Sequence, residues 1–271
     1  MKTLLWMAVT GSLILSCSKA TLEEHYEEHA PTVATLVFNE EKKVNITGFY
    51  GYYLTFPSDY ADKGALPVLI YLHGLGQKGK GGADLQLLGE DGLGKLMIEK
   101  KLPVYFRDDS GNEQSFITIS PQWFEKPGAT AIRQLIDFLD AKFNIDRTRI
   151  YLAGISAGSM ALSEILVSEG NKVAAFIPIS GVARDPDGKI AKAVAEHDIP
   201  VWAFHNTEDT VVPFSYTERF IQNINKNQVP YKAKLTKFSS VNHDAWYRAL
   251  NPEFRQDGKN IYEWLLQYSK R

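Results

Sequence analysis

The sequence predicts an α/β protein, a mostly parallel sheet of eight strands with helices on both faces. Three observations carry this. The 271 residues, 44% of them hydrophobic, lie within the range of one α/β domain with a sizeable core. Runs rich in Val, Ile, Phe and Tyr alternate with segments of helical apolar spacing, the order that parallel crossover units produce. The first two strand runs, 33–38 and 49–56, are instead joined directly by a hairpin-like connection at 40–47. After them come strands at 67–72, 116–120, 149–153, 173–179, 200–205 and 231–238. Helices fall between and after the later strands. The segment 129–143 places Ile132, Leu135, Ile136 and Leu139 on one face, and similar patterns cover 157–168, 188–196, 213–225 and 259–268. The domain is expected over 32–271, with no second linker inside it.

The N-terminus reads differently. Lys2 precedes the apolar run Leu4–Val9, then Gly11 and Ser12, and Ile14-Leu15-Ser16 leads into Cys17. The apolar stretch is shorter than the roughly 20 residues of a membrane span, and its charged start is that of a secretory signal. Ile14–Cys17 resembles the lipobox of bacterial lipoproteins. This implies cleavage of 1–16, a lipid on Cys17, and a protein anchored to the bacterial cell envelope facing the periplasm or the outside. Residues 17–31 are polar and acidic, suited to a tether.

Composition excludes several classes. A formal charge of −2 supplies no field for nucleic acid or an anionic membrane surface. One cysteine excludes an internal disulfide framework and any Cys-rich zinc site.

The chemistry concentrates at strand ends. Ile150–Ala153 is a buried-strand run, followed by Gly154-Ile155-Ser156-Ala157-Gly158 and then a helix. This G-x-S-x-G sits on a strand–turn–helix, where flanking glycines permit a tight turn that lifts the Ser156 oxygen above the sheet edge and aims the Ala157 amide at a developing oxyanion. A nucleophilic serine needs a base and an orienting acid. The loop after the strand at 200–205, Asn206-Thr207-Glu208-Asp209-Thr210-Val211-Val212-Pro213, resembles the acid loop G-x-x-D-x-x-V-P of α/β hydrolases, with Asn206 in the glycine position and Asp209 as the acid. Asp185, Asp187 and Glu208 remain as rival acids. After the last strand, Ser240-Val241-Asn242-His243 offers the base. Upstream, His73-Gly74 resembles the turn whose next amide, that of Leu75, completes an oxyanion hole; His73 itself reads as structural.

On these features the chain resembles the α/β-hydrolase superfamily over residues 48–270, within it the esterases and predicted peptidases related to feruloyl esterases, polyhydroxybutyrate depolymerases and dienelactone hydrolases. The lead-in Tyr52–Tyr60, the phrase Ser120-Pro121-Gln122-Trp123 and Pro178-Ile179-Ser180-Gly181 extend the resemblance. Ser159 departs from it, standing where many relatives have a second glycine. The resemblance implies a serine esterase working without cofactor or metal on a small-molecule or polysaccharide-linked ester. A serine peptidase or a non-catalytic binding protein on the same fold are the alternatives; relatives that cleave peptides commonly carry an added domain, for which this length leaves no room. Tyr105, Trp123, Phe124 and Trp246 are candidates for stacking a sugar or an aromatic acyl group.

Other motifs carry less. Gly74–Gly81 fits both G-x-G-x-x-G and G-x-x-x-x-G-K, but Gly81 stands where a magnesium ligand belongs, and 79–82 is too glycine-rich to open a helix at once. The loop is expected to be mobile and placed to gate substrate. His25-Tyr26-Glu27-Glu28-His29 fits H-x-x-E-H, yet lies in the tether, away from any apolar pattern that could bury a metal. His197 and His205 are expected to be surface and strand-end residues.

Overall fold

A computed structural model describes residues 34–270. The eight-stranded sheet is built from β1 (Leu36–Glu41), β2 (Gly51–Pro57), β3 (Leu66–Leu72), β6 (Ile117–Gln122), β7 (Ile145–Ile155), β8 (Ala175–Ile179), β9 (Trp202–Asn206) and β10 (Lys234–Phe238). A small hairpin, β4 (Phe106–Arg107) with β5 (Glu113–Gln114), stands apart. The spatial order is β1-β2-β6-β3-β7-β8-β9-β10. β2 pairs antiparallel with both β1 and β6, and every other pairing in the sheet is parallel. Only β2 therefore runs against the rest, since its links to β1 (42–50) and β3 (58–65) are both too short for a parallel crossover. This is the α/β-hydrolase architecture expected from the sequence.

Helices cover both faces: α1 (Gly92–Ile98), α2 (Ala129–Lys142), α3 (Ser156–Glu169), α4 (Lys189–Glu196), α5 (Phe214–Lys226), α6 (Trp246–Ala249) and α7 (Ile261–Leu265). The alternation of side chains along each strand divides the core in two. Val68, Ile70 and Leu72 of β3 join Ile150 and Leu152 of β7 in the layer under α2, α3 and α4, where Ile132, Leu135, Ile136 and Leu139 pack as their spacing predicts. Leu69 and Tyr71 join Tyr151, Ala153 and Ile155 in the opposite layer, under α1, α6 and α7.

The central strands end on one edge of the sheet, and the functional loops follow them. α3 begins hard against that edge. A side chain at Gly158 would drive its Cβ into the carbonyls of Leu72 and His73, and one at Gly154 would sit 2.8 Å from the Ser159 amide. Gly158 lets the helix N-terminus approach the end of β3 closely, and Gly154 lets it turn back tightly on β7. Ser159 is fully buried, and its hydroxyl donates to the Gly181 carbonyl just beyond β8. The departure from glycine thus adds a tie between α3 and its neighbouring strand.

The loop 76–82 is fastened, which corrects the expectation of a mobile gate. The Gly79 amide donates to the Trp123 carbonyl at 3.2 Å and the Gly81 amide to the Gln122 side-chain oxygen at 3.0 Å. Gln122, fully buried, donates in turn to the carbonyls of Gln77 and Asp84 at 3.0 and 2.8 Å. A buried amide so satisfied is costly to release. A 3₁₀ segment follows at Gly82–Gly89.

Candidate active site

Ser156 is the first residue of α3 and has φ +50°, in the left-handed region that a non-glycine residue enters at a cost of about 1–2 kcal/mol. The turn lifts its hydroxyl out of the sheet edge. His243, in the loop after β10, meets it there with Nε2 at 2.8 Å from Ser156 Oγ. His243 Nδ1 lies 2.7 Å from Oδ2 of Asp209, in the loop after β9. Three residues far apart in sequence thus form one hydrogen-bonded chain, each at the end of a parallel strand.

The Asp209 carboxylate is buried and fully occupied. Its Oδ1 accepts the amides of Val211 and Val212, both at 2.9 Å. Burial pushes its carboxyl up, but the hydrogen bonds from His243 and from the Val212 and Val211 amides outweigh burial and hold it below the usual value. An ionised carboxylate only accepts, so His243 Nδ1 carries the proton and Nε2 is left to accept from Ser156. Helix α3 begins at Ser156, which leaves the Ala157 amide in a first turn without an intrahelical acceptor. The Leu75 amide, opening the turn Leu75–Gln77 after β3, has no acceptor among the described residues. Both residues line a cavity of about 370 Å³ next to Ser156, walled by Trp123, Phe124 and Met160.

None of the rival acids bonds His243, and Asp187 is exposed with no side-chain hydrogen bond among the described residues. Asp185 accepts the amides of Ile190 and Ala191 at 3.1 and 2.9 Å, in the first turn of α4. Glu208 is exposed and takes only the Thr207 hydroxyl at 3.1 Å. His73 is buried, stacked on Trp123 with ring centroids 4.8 Å apart; Nδ1 donates to the Gly74 carbonyl and Nε2 accepts the Trp123 amide. Burial lowers its pKa to about 4, so the ring is neutral and structural.

Three supports were not read from the sequence. Asn206, in the family's glycine position, donates to the Asn242 carbonyl at 2.8 Å and to Asp244 Oδ1 at 2.7 Å, clasping the acid loop to the loop that carries His243. His205, expected at a strand end, is buried there with Nε2 3.1 Å from the Val212 carbonyl and 3.4 Å from Asp209 Oδ2. Trp246 packs edge-on against His243 and donates its indole N–H to Asp91, the cap of α1, at 2.8 Å. The unusual Asn206 is the one signal the sequence offered. Two aromatic candidates for stacking are thereby placed otherwise: Trp246 is committed to this wall, and Tyr105 bonds Asp59 at 2.5 Å beside Lys63, in a separate cleft. Among the described residues no three His, Cys, Asp or Glu side chains group as metal ligands. Cys17 and the 25–29 motif lie outside the described residues.

The profile of a family described as phospholipase/carboxylesterase matches residues 114–252, about half of the chain. The chain belongs to the phospholipase/carboxylesterase family. The matched span contains Ser156, Asp209 and His243 and begins after Leu75. Two curated proteins resemble parts of this family member. One is a bifunctional acetylxylan esterase/xylanase of Neocallimastix patriciarum, 33% identical over 92 residues, 34% of this chain and 13% of that protein. The other is poly(3-hydroxyalkanoate) depolymerase C of Paucimonas lemoignei, 30% identical over 123 residues, 42% of this chain and 28% of that protein. The chain therefore aligns with less than a third of either relative. Among solved structures, a thermostable esterase superposes with a TM-score of 0.59 at 20% identity, covering 86% of this chain and 63% of that one. The fluorophosphonate-binding serine hydrolase FphF of Staphylococcus aureus gives 0.59 at 15% identity, covering 86% and 99%. At such identities these two structures speak for the fold of this phospholipase/carboxylesterase-family chain.

Proposed function

We propose that the protein is a serine esterase in which Ser156 is the nucleophile, His243 the base and Asp209 the residue that orients the imidazole. The hydrogen-bonded chain Asp209–His243–Ser156 carries this reading. Ser156 Oγ attacks the ester carbonyl carbon while its proton passes to His243 Nε2. The resulting oxyanion is met by the Ala157 and Leu75 amides. The C–O bond to the alcohol then breaks, and His243 returns the proton to the departing oxygen, leaving an acyl-serine. Water attacks that acyl group by the same transfers in reverse roles, giving the acid and free Ser156. No step calls for a metal or cofactor.

The names of the two curated relatives support esters of polymers as substrates, polysaccharide-linked acyl groups first among them. The purified protein should hydrolyse acetyl, butyryl or feruloyl esters at rates unaffected by EDTA, and the matching amides far more slowly. Amides cleaved as fast as esters would favour a peptidase, and loss of activity with EDTA would contradict the metal-free mechanism.

The lipobox-like Ile14–Cys17 supports a lipid anchor at Cys17 on the bacterial envelope. Cells grown with a labelled fatty acid should incorporate it into the wild-type protein and not into Cys17→Ala. Equal labelling of both, or of neither, would contradict the anchor.

A further inference from the structure

The cavity beside Ser156 has a mixed lining. Leu75, Ala157, Met160 and Ala183 supply its apolar part, and Lys78, Lys126 and Arg184 its cationic part, with Glu125 and Glu164 among them. Glu164 has a direct ion-pair partner in Lys126 at 2.6 Å, whereas the Tyr50 hydroxyl that bonds Glu125 at 2.8 Å is uncharged. The charge of Glu125 is offset in part by Lys80 and Lys78 nearby, leaving four cations against two carboxylates. Lys78 and the fourth cation, Lys80, lie over the Phe124 ring at 4.6 and 4.4 Å from its centroid. These contacts hold both ammonium groups at the wall of the cavity. Among the described residues, Lys78, Lys80 and Arg184 have no carboxylate within ion-pair distance and Arg184 makes no hydrogen bond. This surplus of positive charge stands on a chain whose net charge is −2.

The aromatic wall is correspondingly unsuited to stacking a substrate ring. Trp123 is buried against His73, and Phe124 already carries the two ammonium groups. We propose that this cavity takes the limb of an ester substrate that ends in a carboxylate, its methylenes against the apolar lining and its carboxylate against Arg184 and Lys78. Arg184 supplies the planar fork that matches a carboxylate, and the lysines add charge without demanding geometry. The inference rests on Ser156 being the nucleophile, since the cavity matters to the reaction only through that hydroxyl.

Two pairs of esters test it, one for each limb. On the acyl side, 4-nitrophenyl hemiadipate is compared with 4-nitrophenyl hexanoate, which has the same chain length and no charge. On the alcohol side, 6-acetoxyhexanoate is compared with hexyl acetate, which has the same chain length and no charge. In one of the pairs the acidic member should have the higher kcat/KM, by roughly tenfold at low salt, and the preference should shrink as NaCl screens it. Arg184→Gln should reduce that ratio about tenfold, mainly through KM, and Arg184→Lys should restore part of it. Turnover of both pairs with ratios near one, or a ratio indifferent to Arg184→Gln, overturns the anionic-limb proposal and leaves the esterase reading standing. Turnover of none of the four esters overturns both.

Discussion

Ser156→Ala should lower kcat toward a good ester substrate by a factor on the order of 10⁴ or more, with folding intact. Among the described residues, the Ser156 hydroxyl is the group that hydrogen-bonds His243 Nε2, at 2.8 Å, and under the proposed mechanism it both attacks and passes its proton there. His243→Ala should cost a similar factor, because an unassisted serine hydroxyl is a weak nucleophile. Combining the two should add little, since either change removes the same concerted step. Circular dichroism and the thermal midpoint of each variant, set beside its rate, separate lost chemistry from lost structure. Rates that multiply in the double variant would mean that the two residues act independently.

Asp209→Asn should be the next largest loss, roughly 10⁴-fold in kcat, by a different route. If the new amide keeps its oxygen toward the Val211 and Val212 N–H groups, as Oδ1 now lies, its NH₂ faces His243 Nδ1. Nδ1 must then accept, the ring proton moves to Nε2, and the base can no longer take the Ser156 proton. Glu208→Gln and Asp185→Asn should leave kcat within about twofold, because neither carboxylate touches His243; Asp185→Asn should instead weaken the start of α4, by about 0.5–1 kcal/mol. A fast Asp209→Asn beside a dead Asp185→Asn would reassign the acid.

Much of this architecture was legible because it rests on local rules. Long strand runs and the amphipathic α2 announce themselves by period, and G-x-S-x-G at a strand–helix junction announces its turn. What escaped is short or long-range. α1 spans seven residues and contains Gly92 and Gly94, poor helix formers, so its existence depends on the Asp91 cap and on burial of Leu93 and Met97. The four-residue α6 and the two-residue strands of the hairpin β4–β5 fall below any periodic signal. In the site, Ser156, Asp209 and His243 were nominated by neighbouring residues in sequence, whereas the clasp of Asn206 onto Asn242 and Asp244 joins positions more than thirty residues apart. The Gly/Lys loop read as mobile because its glycines were visible and its anchor, Gln122, was forty residues away.

The central claim is that Ser156 is a nucleophile activated by His243, and active-site labelling tests it most directly. A fluorophosphonate probe should add one mass increment to the wild-type protein, mapped by peptide sequencing to Ser156. His243→Ala should label far more slowly, and Ser156→Ala not at all. A label on any other residue, or one that persists undiminished in Ser156→Ala, would contradict the account.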